Sequence, residues 1–221
     1  MKRLIGFIII VLVLGSGCAT VSSNWGKAID AAHNRRFIPV ELWAGVSWDG
    51  NRDIHLPEVN RQFGSDQPTR VFGPNSWVHP KTGKKYLVME RLMKRESGIK
   101  KQLYTINADG TGLGRVYDSR PEKVDRTFAG EVIFPLGTWS QGETRPFQYV
   151  EYTKAGLARR TATITIKRID FRYRRIDHSL EYEWVMRDAL GNVLYHENYV
   201  YSPGRHLVGF KDLLSSSSAR R

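Results

Sequence analysis

Residues 157–173 read Leu-Ala-Arg-Arg-Thr-Ala-Thr-Ile-Thr-Ile-Lys-Arg-Ile-Asp-Phe-Arg-Tyr. Ala162, Ile164 and Ile166 place the apolar face on even numbers, whereas Ile169, Phe171 and Tyr173 place it on odd numbers. Strand side chains alternate with a period of two, so parity changes only if an extra residue is inserted, and a β-bulge is predicted at Lys167-Arg168. Beyond it, Arg168, Asp170, Arg172 and Arg174 are expected on an outer face. The next apolar alternation, Leu180, Tyr182, Trp184 and Met186, leaves Glu181 and Glu183 pointing outward. Antiparallel pairing of the two segments sets arginines against glutamates as a cross-strand ladder.

Working outward, the same grammar recurs. Residues 77–78 and 86–92 flank the turn His79-Pro80-Lys81-Thr82-Gly83. Residues 102–106 and 113–117 flank a loop of Asn, Asp and Gly. Residues 144–152 turn at Lys154-Ala155-Gly156 into the long run, and residues 179–186 and 193–201 flank Leu190-Gly191-Asn192. Residues 37–44 and 131–134 are shorter strand candidates, with residues 136–142 a turn region between neighbours. Many short strands with regular turns predict an all-β domain, an antiparallel sandwich or barrel-like fold of roughly ten strands. Before it, Trp25, Ile29 and Ala32 recur at helical spacing after Ser22, Ser23 and Asn24, which predicts a short N-terminal helix. The organisation expected is a leader over 1–17, a tether with that helix over 18–36, one β domain over 37–213 and a disordered tail over 214–221.

The leader follows its own logic. Lys2 and Arg3 precede an apolar run over residues 4–14, then Gly15-Ser16-Gly17 and Cys18, the single cysteine of the chain. A basic start, an apolar core shorter than the roughly 20 residues of a membrane span, and small residues at the exit make an export signal. Ser16-Gly17-Cys18 resembles the end of the lipobox of bacterial lipoproteins, although the position three before the cysteine is Gly15 where that class favours leucine. The resemblance covers residues 1 to about 20. It implies that Cys18 is acylated and becomes the new N-terminus. It also implies, because Ala19 rather than aspartate follows, retention at the periplasmic face of the outer membrane. A lone cysteine in an exported chain has no disulfide partner within it, which agrees with such a use.

The 221 residues carry a formal charge of +12, and removing Lys2 and Arg3 leaves +10. For an exported protein this excludes nucleic acid as the expected partner and points to anionic lipids or polymers of the envelope, or to an envelope protein. The candidate binding residues are the outer arginines Arg168, Arg172 and Arg174. Beside them stand Tyr195, Tyr199 and Tyr201, which share a strand face with Glu197; filling the core is the competing role for those rings.

Catalytic signals are weak. No G-x-S-x-G occurs after Cys18. The histidines His33, His55, His79, His178, His196 and His206 form no H-x-H or H-E-x-x-H, so neither metal nor cofactor is called for. Carboxylates such as Asp170, Asp177, Glu181 and Glu183 would make a glycosidase only if two converged across a cleft. The expectation is a membrane-tethered, non-enzymatic envelope lipoprotein whose basic β domain binds an anionic component or a partner protein. The alternative is an envelope hydrolase acting on polysaccharide or lipid.

Overall fold

The computed structural model describes residues 28–30, 35–38, 41–44, 52–54, 69–95, 97–106, 112–119, 125–202 and 206–214. In chain order the elements are β1 (Ala28–Asp30), β2 (Arg35–Ile38), the single helical turn α1 (Glu41–Ala44), β3 (Arg52–Ile54), β4 (Thr69–Val78), β5 (Lys85–Arg95) and β6 (Gly98–Ile106). They continue with β7 (Leu113–Asp118), β8 (Arg126–Ile133), β9 (Gly137–Ser140), β10 (Thr144–Thr153), β11 (Gly156–Tyr173), β12 (Ile176–Arg187), β13 (Val193–Ser202) and β14 (His206–Asp212).

The protein is all-β and antiparallel. Eleven strands form one sheet in the order β14-β13-β12-β11-β10-β8-β7-β6-β5-β4-β3, a meander interrupted only where β9 leaves it to join β1 and β2 in a three-stranded sheet. So long a sheet cannot stay flat, because each strand is twisted against the next. It curls over one face until the β5–β6 region opposes β12–β13, as Arg91 reaching Tyr201 attests. The two halves of one sheet thus face each other as in a sandwich, with β14 and β3 as the outer edges.

The alternations read from the sequence are those that fill the interior. Ala162, Ile164 and Ile166 of β11 and Leu180, Tyr182, Trp184 and Met186 of β12 lie in one buried cluster with Val71, Met89 and Tyr104 from the opposite half. Fully burying one such side chain contributes about 1.5–3 kcal/mol. α1 closes this core: Trp43 packs against Trp139 and Tyr182, with ring centroids 5.3 and 5.5 Å away, and Tyr182 Oη donates to its carbonyl at 2.7 Å. His79, buried at the β4–β5 turn, accepts the amides of Lys81 and Thr82 on Nδ1 and therefore donates from Nε2 to the Phe128 carbonyl at 2.7 Å.

The pairing of β11 with β12 slips between Ile166 and Arg168, so the bulge lies where the parity change demanded it. It is followed by two further irregularities, between Ile169 and Phe171 and between Phe171 and Tyr173. Asp170 has φ 55 and His178 φ 59. The outer row expected over Arg168, Asp170, Arg172 and Arg174 is therefore broken up. Asp170 turns to Arg36 of β2 at 3.1 Å and to His178 at 2.7 Å.

Other expectations need correcting near the N-terminus. Residues 28–30 and 35–36 are strand where a short helix was expected, residues 37–38 are strand as expected, and residues 41–44 are a helical turn where a strand was expected. β2 hydrogen-bonds to β9 along Arg35↔Ser140 to Ile38↔Gly137, so residues 137–140, read as turn, are strand as well. A two-turn helix cannot support itself, whereas an edge added to β9 satisfies its backbone by pairing. β14, unassigned from the sequence, pairs with β13 from Glu197↔Asp212 to Ser202↔His206. Among the described residues no helix is long and apolar enough to cross a membrane. The leader, Cys18 and residue 215 onward lie outside the described residues.

Candidate functional site: a basic aromatic pocket

The curl leaves a pocket on its concave side, about 720 Å³ of space counted with its open mouth. Register builds one wall. Arg91 of β5 pairs with Gln102 of β6, Gln102 with Asp118 of β7, and Asp118 with Arg126 of β8. Four neighbouring strands thus present one continuous polar row to the interior. Met93↔Lys100 lies on one side of it and Met89↔Tyr104↔Arg115 on the other. Opposite stand Tyr182, Trp184 and Met186 of β12 and Tyr195, Glu197, Tyr199 and Tyr201 of β13. Leu207 and Phe210 of β14 and Trp43 of α1 complete the lining.

The lining is cationic. Arg91, Lys100, Arg115 and Arg126 bring four positive charges against the two of Asp118 and Glu197. The three guanidinium groups are held very differently. Arg91, 6 % exposed, donates from Nε to Gln102 Oε1 at 2.9 Å and from Nη1 to Tyr201 Oη at 3.2 Å. Its charge persists because Tyr104 and Tyr201 favour it more than burial opposes it. Arg126 donates from Nε to Glu151 Oε2 at 2.7 Å and from Nη2 to Tyr149 Oη at 2.8 Å, and Glu151 is held from its other side by Arg160 at 2.6 Å. Those two are braces between strands.

Arg115 is different. Its side chain is 11 % exposed, its contact with a carboxylate is loose (Nη1 to Asp118 Oδ2, 4.0 Å), and its buried Nε makes no hydrogen bond. It lies instead against the Phe128 and Trp184 rings, 5.5 and 5.6 Å from their centroids. Burial opposes its charge, but Tyr104 and Asp118 hold it protonated, above the ordinary arginine value. A second donor is also unanswered: the indole Nε1 of Trp43, a residue 1 % exposed that lines the same pocket. Buried donors without partners are rare because each costs about 1–3 kcal/mol, and here two belong to residues that line one pocket.

The tyrosines expected as binding residues are here. Tyr195, Tyr199 and Tyr201 line the pocket with Glu197, and Tyr199 Oη donates to Glu197 Oε2. Burial pushes Tyr182 and Tyr199 well above the ordinary tyrosine value, so both stay protonated donors. The expected arginines are elsewhere, on the outside. Arg168, 49 % exposed, pairs with Glu181 at 2.5 Å and stacks 3.9 Å over Phe171. Arg172, 67 % exposed, is 3.5 Å from Asp177. Arg174 sits in the turn after β11 with φ 46, over the Tyr173 ring at 5.3 Å. The structure does not bring these arginines together with the tyrosines.

Sequence reasoning missed Arg91, Arg115 and Arg126, although a signal existed. Arg91 shares parity with Met89 and Met93, and Arg126 with Phe128, so each occupies an inward position that period two reserves for apolar residues. The carboxylates weighed for catalysis do not converge on a cleft: Asp170 meets Arg36 and His178, Asp177 meets Arg172, Glu181 meets Arg168, and Glu183 meets Lys167 and His196. His178 and His196 are thus on separate acid partners. Among the described residues no three His, Cys, Asp or Glu side chains are grouped to hold a metal. No known protein family, curated protein or solved structure matches the chain.

Proposed function

We propose that this protein is a lipid-anchored, non-enzymatic component of the cell envelope, and that the pocket inside its β sheet binds an anionic envelope constituent. The supporting observation is Arg115: a buried guanidinium without a close carboxylate, in a lining with an excess of positive charge. A fold retains such a group against its desolvation cost when the missing partner arrives with a ligand. The outer arginines support the reading less well, since Arg168 and Arg172 already have carboxylate neighbours in solvent. Residues 1–18 supply the address. Cys18 carries the acyl chains, and the pocket works within a tether's length of the outer membrane.

Two measurements test the proposal. Fatty-acid labelling should appear in the wild type and vanish in Cys18→Ala; equal labelling of both removes the anchor. Titration with inorganic phosphate and with acetate, followed by the fluorescence of Trp43 and Trp184, should saturate in the wild type and weaken at least tenfold in Arg115→Gln. Identical titrations of the two proteins remove the pocket from the proposal.

A further inference from the structure

The hairpin of β11 and β12 carries a surface that the pocket does not use. β10 accompanies β11 as far as Thr144↔Thr165, and β13 accompanies β12 from Leu180↔Tyr201. Residues 167–179 therefore run past both sheet neighbours as a two-stranded arm. The arm has five cations, Lys167, Arg168, Arg172, Arg174 and Arg175, against the acids Asp170 and Asp177. Asp170 is engaged by Arg36 and His178, whereas Arg172 and Asp177 meet at 3.5 Å in solvent, where such a pair is weak. Arg168 and Arg174 lie over the rings of Phe171 and Tyr173, so cations and half-buried aromatics share the tip.

The turn that closes the arm is chosen against its own backbone. Tyr173 pairs with Ile176, which leaves a two-residue loop, and Arg174 and Arg175 have φ 46 and 71. A two-residue hairpin turn with positive φ at both positions favours Asn-Gly, because a bulky side chain strains that conformation. Arginine at both positions is the mark of a tip kept for its side chains.

We infer that this tip rests on the surface of an anionic phospholipid bilayer. An exposed turn cannot enclose a small anion as a pocket does, so its partner is a broad surface of repeated negative charge. Arginines reaching phosphodiesters, with aromatic rings beside them at headgroup depth, suit a membrane interface. The path of the chain agrees. β1 begins at Ala28, ten residues after Cys18, a span of at most about 35 Å. Ala28 pairs with Arg36, and Arg36 meets Asp170 of the arm at 3.1 Å. A chain held at Cys18 thus enters the domain beside this tip. That orientation rests on the anchored reading, whereas the affinity of the tip for the bilayer does not.

The test uses the mature chain, residues 18–221, as Cys18→Ala, so that neither the leader nor an acyl group holds it on lipid. The chain is floated with vesicles of phosphatidylcholine alone and of phosphatidylcholine and phosphatidylglycerol in equal parts. Binding should be at least tenfold tighter to the mixed vesicles and should weaken as salt is added. Arg172→Gln, Arg174→Gln and Arg175→Gln combined should weaken it roughly a hundredfold, about fivefold per arginine. The same charge removed away from the tip, as Lys81→Gln, Lys154→Gln and Arg159→Gln, should weaken it less than about tenfold. Arg174→Asn with Arg175→Gly should weaken binding and also raise the melting temperature, because it relieves the turn. Equal binding to both vesicles, or equal losses in the two triple variants, overturns the inference. So does the absence of binding by a chain whose circular dichroism shows it folded. Tip-dependent binding to alginate that is tighter than to the mixed vesicles overturns it in favour of an acidic polysaccharide. Loss of the anchor in the labelling experiment removes the orientation and leaves the affinity of the tip standing.

Discussion

Arg91 on β5 donates from Nη1 to the hydroxyl of Tyr201 on β13 at 3.2 Å, across the interior and between residues 110 apart in sequence. This contact ties the two halves of the curled sheet through a charged donor. Tyr201→Phe keeps the ring and leaves that donor buried beside an apolar edge. The variant should lose about 1–3 kcal/mol in denaturant unfolding. A loss within error would mean that the curl is held by apolar packing alone.

Arg115 should behave in the opposite sense. Arg115→Met removes a desolvated charge whose carboxylate neighbour is 4.0 Å away, and Asp118 keeps Lys100 at 3.7 Å. Replacing a poorly paired buried ion by a side chain of similar length is neutral or stabilising by up to about 4 kcal/mol. Higher unfolding stability together with lost anion binding is the signature of a residue kept for function. A marked drop in stability would make Arg115 a structural brace like Arg126.

The interior phenols set an alkaline limit. Burial raises Tyr104, Tyr182 and Tyr199 above their ordinary value of 10.0. A folded-state pKa raised in this way contributes stability that is complete below pH 10 and is lost as pH rises towards the folded values. Ultraviolet titration should therefore show these three ionising only as the fold opens. Smooth ionisation of every tyrosine without loss of structure would show that the interior admits hydroxide freely.

On the outer ladder the sign is reversed. The His196 hydrogen bond, with help from Lys167, holds the Glu183 carboxyl below its ordinary 4.5. A depressed acid contributes stability above its unfolded value and loses it as pH falls through the folded one. Wild type should melt above Glu183→Gln at neutral pH, and the gap should close below pH 4.5. A gap that persists at low pH would place its origin in packing. The pair is partly exposed, so the gap should be small.

The local grammar was legible in particular residues. The parity change after Ile166 located a bulge, and the alternation from Leu180 to Met186 gave both the buried face and its outer glutamates. Glu181 opposite Arg168 followed from them. Illegible were the short elements. β2 and β9 are four residues each and exist because they pair with one another, and no window that short carries a period.

The candidate site shows where this kind of reading stops. The sequence by itself determined the all-β class, the hairpins and the shared face of the β13 tyrosines, because each is a property of a continuous stretch. Only the tertiary structure decided that the sheet curls, and with it that arginines on β5, β7 and β8 face tyrosines on β12 and β13. Strand period says which residues share a face but not what lies across from that face, and burial and charge pairing depend on what lies across. Arg115 reads as one more exposed cation in the chain, and becomes a buried, loosely paired one only when Phe128, Trp184 and Asp118 close around it.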